Sequence, residues 1–247
     1  VQAAGWPPQQ KDSPLMNRLM IAALAVSLVV CGCKWLDFGS REDRTAQELA
    51  VDGMDAFDNG QYKSAIETFE KLKDWYPFSK YAILAELKIA DAHFKASDYE
   101  DAVVAYEHFE TLHPRNEAIP YVMYQIGRCY FEQIDTVDRD QEPARKSMDA
   151  FLRLKKRFPD HPYAHKADEH VKKSLQTIVG NEFYIGHYYY RTKHYEAALA
   201  RFQSVLANYP DVGVHFQALR YIALCETAIA EKSAPAPAKK RFTLPFF

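Results

Sequence analysis

The densest set of potential ligand side chains lies in HPYAHKADEH, residues 161–170, which carries His161, His165, Asp168, Glu169 and His170. On a helix His165 and Glu169 stand one turn apart and share a face that a zinc ion could use. A zinc site also needs further ligands at a recognised spacing, and none accompanies this pair. The segment therefore reads as a solvated polar helix face with no metal. The acids of DRDQEP, residues 138–143, lack the twelve-residue order and closing Glu of a calcium loop, and read as a polar connection. No HExxH, GxSxG, phosphate loop or Cys/His nucleophile pairing occurs. The chain is expected to be no enzyme and to need no cofactor for chemistry.

The four cysteines pose a different question. Cys129 and Cys225 are some ninety residues apart with neither CxxC nor metal spacing, and are expected to be buried thiols. Cys31 and Cys33 stand in LVVCGCKW, residues 28–35, at the end of an apolar run, residues 19–30. That run is too short to cross a bilayer, which takes about 20 residues. With Asn17 and Arg18 before it and small residues after it, it reads as an export signal beginning at Met16. Residues 1–15 then read as an over-extended start. Cleavage follows a small residue, which Gly32 is and Val30 is not, so Val30-Cys31-Gly32-Cys33 resembles the lipobox of bacterial lipoproteins. The resemblance implies a diacylglycerol and an acyl chain on Cys33, together enough for stable anchoring. The alternative is plain secretion with Cys31 and Cys33 joined or free. Lys34 follows Cys33, where the inner-membrane lipoproteins of enteric bacteria carry Asp, which implies the outer membrane.

The elements that carry these residues repeat. The segments 53–77, 90–114 and 186–210 align so that Gly53, Ala90 and Gly186 precede Ala65, Ala102 and Ala198 by twelve residues. Phe69, Tyr106 and Phe202 follow those alanines by four, and Pro77, Pro114 and Pro210 follow them by twelve. A further unit from Gly127 to Pro159 keeps Ser147, Phe151 and Leu154 in register, with eight extra residues in its turn. This pattern resembles the tetratricopeptide repeat, a helical hairpin of about 34 residues. Small residues let the paired helices approach, the aromatic is expected to fill the gap to the next repeat, and the proline stops the helix. The expected fold is all-α, a right-handed superhelix of about five helix pairs, ten helices in all, with a separate helix in YAHKADEHVKKSLQTIVG. The boundaries are 1–32 for the upstream segment and signal, 33–44 for a linker, 45–230 for the repeats and 231–247 for a Pro- and Lys-rich disordered tail. Its Lys239, Lys240 and Arg241 read as a solvated basic trio, and a net charge of -2 gives no field for nucleic acid.

Function in such arrays sits on the concave face lined by the first helix of each pair. The register places Met54 and Phe57, Leu84, Leu87 and Phe94, Tyr121, Tyr124, Arg128 and Phe131, and Phe183, His187 and Tyr190 on that face. Packing between helices competes with exposure for each of them. Exposed together, they suit an extended apolar and aromatic peptide, with Arg128 for a carboxylate.

The strings YPFSKY, HPRNEAIPYVMYQIG, DRDQEPA, RFPDHPYAHKA and GHYYYRTKHYEAALARF, the last followed by YPD, resemble in order the BamD (ComL) family of β-barrel assembly lipoproteins. The resemblance implies a tetratricopeptide scaffold on the periplasmic face of the outer membrane, whose N-terminal repeats bind the targeting strand of unfolded outer-membrane proteins. Its C-terminal repeats would dock to the BamA-like β-barrel insertase, an ionic contact falling on Arg201, and other assembly lipoproteins are possible partners. In isolation Arg201 would pair with Glu196 or another nearby acid. A pilotin-like lipoprotein for secretin assembly is the nearest alternative, and a periplasmic metal-dependent enzyme is the alternative of another class.

Overall fold

A computed structural model describes residues 44–233 of the chain. The signal, Cys31 and Cys33 lie outside the described residues, as does the chain beyond 233. Nine α-helices occur among the described residues: α1 (Ala46–Asp58), α2 (Tyr62–Trp75), α3 (Lys80–Lys95), α4 (Tyr99–Leu112), α5 (Ile119–Phe131), α6 (Glu142–Arg157), α7 (Pro162–Arg191), α8 (Tyr195–Asn208) and α9 (His215–Ser233). Each helix packs chiefly on the next one in the chain. This is the stacking of helical hairpins expected of tetratricopeptide repeats.

The repeat register has a direct physical basis in the hairpin contacts. A Cβ built on Gly53 would lie 2.6 Å from the ring of Phe69, one on Gly127 2.6 Å from Phe151, and one on Gly186 2.8 Å from Phe202. The aromatic therefore lies on the small residue of its own hairpin, rather than mainly filling the gap to the next repeat. Phe69, Phe151 and Phe202 are fully buried there. Ser147 fills the second small position of its hairpin, its hydroxyl donating to the Gly127 carbonyl at 3.2 Å.

The turns are equally regular. Gly60, Ser97 and Lys193 each follow the small residue of their repeat by seven, and all three have positive φ, at 74°, 65° and 63°. The amide of the next residue closes back onto the helix, Gln61 to Ala56, Asp98 to His93 and His194 to Tyr189, each at 2.9 Å. That is a Schellman termination, in which a left-handed residue ends the helix and satisfies its last carbonyls. Helices α2, α4, α6 and α8 all stop two residues before a proline.

The expected ten helices become nine because α7 runs unbroken through both the additional helix and the first helix of the last matched hairpin. Gly180 and Asn181 sit within it, but a glycine costs a helix only about 1 kcal/mol and no proline occurs after Pro162. Packing on both halves outweighs that cost: Ala164 and Ala167 belong to the core shared with α5 and α6, and Val179 to the core shared with α8 and α9. The eight extra residues before α6 are tied to this helix, with Asn181 Nδ2 donating to the Val137 carbonyl at 2.6 Å and Val137 packing over Gly180. Helix α9 continues three residues past the expected boundary at Ala230.

Candidate functional site

The first helices of the N-terminal hairpins bring most of the candidate side chains into one continuous seam. On α1, Phe57 meets Tyr62 edge-on at 5.6 Å, and the Lys88 ammonium of α3 lies 4.9 Å from the Phe57 ring centre. Met54 and Phe57 are half-buried against the first core cluster, and Leu87 against the second. Leu84 is exposed, whereas Phe94 is buried with the Arg128 guanidinium 4.7 Å above it. Arg128 also donates to Glu132 Oε1 at 2.7 Å, so its charge is already shared along α5.

Beneath this seam is a polar network. Asp91 is only 6% exposed, and its Oδ1 accepts from the hydroxyls of both Tyr106 and Tyr121 at 2.7 Å. Its other oxygen pairs with Lys88 at 3.0 Å. Gln125 Nε2 donates to Tyr121 at 3.2 Å and to Tyr106 at 3.4 Å, which completes the network across α3, α4 and α5. A buried carboxylate is tolerable only with such partners. Burial first, and then the charge of Asp91, pushes both tyrosine hydroxyls far above their ordinary range, so they remain donors.

The seam then crosses to α7. Tyr163 lies 5.6 Å from Tyr121 and 5.1 Å from Tyr124, ring centre to ring centre. Tyr124 Oη is 3.0 Å from His170 Nε2, while the imidazole stacks on Phe151 at 5.0 Å and meets Phe131 edge-on at 4.5 Å. Burial, followed by the charges of Arg128 and Lys173, holds the His170 pKa below its ordinary value against the opposing pull of Glu169 and Glu132. Its Nδ1 is buried without a hydrogen-bond partner. Past Phe131, an open cleft of about 430 Å³ is lined by Ile134 and Val137 of the inserted turn and by Lys173, Gln176 and Thr177 of α7.

The histidine-rich segment is dispersed rather than gathered. His161 caps α7, its Nδ1 accepting from the Tyr163 amide at 3.2 Å. Asp168 pairs with Lys155 and Glu169 with Lys173, while His165 faces solvent. No group of three or more His, Cys, Asp or Glu side chains that could hold a metal occurs among the described residues. Cys129 and Cys225 are both free and buried.

The C-terminal candidates form a second cluster. Phe183, His187 and Tyr190 surround Tyr221 of α9 at 5.7, 5.3 and 5.2 Å, and Phe202 stacks on the same ring at 5.1 Å. On the other side of this hairpin Arg201 donates to Glu182 Oε2 at 2.8 Å, with Arg201 43% and Glu182 13% exposed. The partner acid lies across the hairpin on α7, not at Glu196 on the same helix.

Sequence reasoning passed over Asp91, Gln125 and Tyr163, which hold the seam together. The one available signal was an acid between two alanines in KIADAHF, next to a small position of the repeat that must be buried.

The profile of the YfiO family, described as outer membrane lipoprotein, matches residues 42–241. An outer membrane protein assembly factor BamD from Rickettsia prowazekii is 31% identical over 194 residues, spanning 78% of this chain and 77% of its own length. The BamD of Neisseria meningitidis serogroup A is 25% identical over 235 residues, spanning 90% of this chain and 88% of its own. Among solved structures, a tetratricopeptide repeat protein from Parabacteroides merdae aligns with a TM-score of 0.40 and 12% identity, over 75% of this chain and 74% of that one.

Proposed function

The chain belongs to the YfiO family of outer membrane lipoproteins, and from that premise we propose that it is a non-enzymatic scaffold that holds unfolded outer-membrane proteins for assembly. Cys33 carries the lipid that keeps it on the periplasmic face of the outer membrane. The seam from Phe57 to His170 takes an extended client segment, and the face bearing Arg201 docks to a BamA-like β-barrel insertase.

The observation that carries this reading is the continuity of the seam. Half-buried Phe57 of α1, Leu87 of α3, Tyr121, Tyr124 and Phe131 of α5 and Tyr163 of α7 follow one another along it. Such rings accept the apolar side chains of a strand, while internal hydrogen bonds hold the Tyr121 and Tyr124 hydroxyls in place. Buried Asp91 fixes Tyr121 and removes one source of ordering cost on binding. Arg201 supports the docking role because Glu182 holds it in place while leaving it accessible.

The test is a pulldown from native membranes through a C-terminal tag. Wild type is expected to recover a large β-barrel protein with periplasmic repeat domains, and Arg201→Ala to recover less of it. Cys33→Ser is expected to lose membrane retention. Recovery of a secretin, or of no barrel protein, would refute the reading. In parallel, Tyr124→Ala is expected to weaken binding of a peptide from an unfolded barrel strand about tenfold, the weight of one interfacial tyrosine.

A further inference from the structure

His170 stands in the aromatic seam with its hydrogen bonding incomplete. Its Nε2 has the Tyr124 hydroxyl at 3.0 Å, while Nδ1 is buried with no hydrogen-bond partner. Phe151 covers one face of the ring, 9° from parallel, and Phe131 meets it edge-on at 4.5 Å. A neutral imidazole carries a proton on one nitrogen and fits this arrangement, whereas an imidazolium carries N–H groups on both. The Nδ1–H would then be a buried donor without an acceptor, which a folded interior rarely tolerates.

The charges around the ring do not offset that cost. From α5 the Arg128–Glu132 pair faces it, closed at 2.7 Å, and from α7 itself the Lys173–Glu169 pair, closed at 2.8 Å. Within each pair the two signs oppose one another at the ring. From α6 comes the uncharged Phe151 ring, and Lys155 of that helix is held by Asp168. Burial therefore decides, and it keeps the imidazole neutral. To take a proton the ring must turn out to water. In doing so it gives up Tyr124 and uncovers Phe151, which is fully buried.

Resting on the client site proposed above, we propose that His170 is the pH gate of the seam: with a neutral ring the seam holds a client, and protonation of the ring releases it. The coupling follows from position. His170 is half-buried in the free chain, and a client lying over Tyr124 and Phe131 takes more of it from water. The neutral form is then favoured more strongly in the complex than in the free chain. By linkage, binding weakens as pH falls through the range in which the free chain takes up the proton, and a bound client in turn makes His170 harder to protonate.

The experiment uses the full chain in detergent and an N-acetylated peptide from an unfolded barrel strand, chosen without Asp, Glu or His so that the peptide itself does not titrate. Kd is measured at pH 7.5 and pH 5, with helix content checked by circular dichroism at each. One titrating group changes affinity by at most about tenfold per pH unit, and a rise in Kd of about three- to tenfold is expected for wild type. The same rise is expected for His165→Gln, whose side chain faces solvent on the same helix. His170→Gln, which keeps a polar partner for Tyr124 but does not titrate, is expected to bind nearly equally at both pH values. In wild type, NMR of isotope-labelled histidine should show the His170 titration midpoint falling when the peptide is added to saturation, a change that a purely structural role would not produce. Binding independent of pH, equal pH dependence in His170→Gln, or an unmoved His170 titration overturns this proposal and leaves the client site standing. No binding at pH 7.5 overturns the client site itself and this proposal with it.

Discussion

Gly127→Ala isolates the contact that sets the repeat register. In an ordinary helix interior this change stabilises by about 1 kcal/mol, because alanine loses less backbone entropy. Here the new Cβ would lie 2.6 Å from a ring carbon of Phe151 and under 3 Å from two more. The ring cannot swing aside, since its other face carries the His170 imidazole at 5.0 Å and Tyr124 closes its side at 5.6 Å. Overpacking a core site this tightly enclosed costs about 1–3 kcal/mol, at the upper end about 2 kcal/mol more than the gain, so the expected net destabilisation is centred on about 1 kcal/mol. With a urea slope of about 2–3 kcal/mol/M, the unfolding midpoint followed by circular dichroism should fall by about 0.5 M. Gly180→Ala is the internal control. Its Cβ meets only Val137 at 3.1 Å, on a partly exposed turn that can give, and the midpoint should stay or rise slightly. Combining Gly127→Ala with Phe151→Leu should cost less than the sum of the two changes. A raised midpoint for Gly127→Ala, or strict additivity in the double variant, would refute this account.

Asp91→Ala strands two buried tyrosine hydroxyls and should cost about 3 kcal/mol in chemical denaturation, whereas Asp91→Asn, which keeps an acceptor, should cost less. The His170 pKa is lowered in the fold, so below about pH 6.5 the unfolded chain binds more protons and stability falls with pH toward the folded value. His170→Phe should flatten that fall in denaturation curves taken between pH 7 and pH 5. Lys193→Gly relieves a left-handed residue at a position where the first repeat already has Gly60, and should raise the unfolding free energy by about 1 kcal/mol, read as a higher denaturation midpoint. Burial raises the Cys129 thiol to about 12, so alkylation at pH 8 should label neither Cys129 nor Cys225 until the chain is unfolded.

The repeat was legible because its small, aromatic and proline positions are local constraints that recur at fixed offsets; Gly53 and Pro77 play the parts their spacing assigns, while Phe69 packs on Gly53 of its own hairpin. Long-range partners were not. Arg201 finds Glu182 nineteen residues away because two helices of a hairpin face each other there, which no offset within α8 reveals. The unbroken course of α7 was hidden for a related reason: Gly180 resembles a break locally, while its actual role is to admit Val137 from a turn over forty residues earlier. The candidate seam was readable as a list of residues but not as a set of contacts. Phe94 turns inward, Arg128 lies across it, and Asp91, the acid that ties the tyrosines together, was not singled out.

The unbroken α7 also has a mechanical meaning. At 30 residues it is a strut about 45 Å long. Tyr163 and His170 of the aromatic seam lie on its N-terminal third, and Glu182, which holds Arg201, lies twelve residues beyond His170, about 18 Å along the rod. Two short helices joined by a loop would let each end move alone, whereas a single rod makes their motions one. Tilting the rod by about 10° about one end carries the other end through about 8 Å. On the proposed function, a client against Tyr124 and His170 and a partner at Arg201 would act on two points of the same rod about 18 Å apart, with no loop between them to absorb a shift.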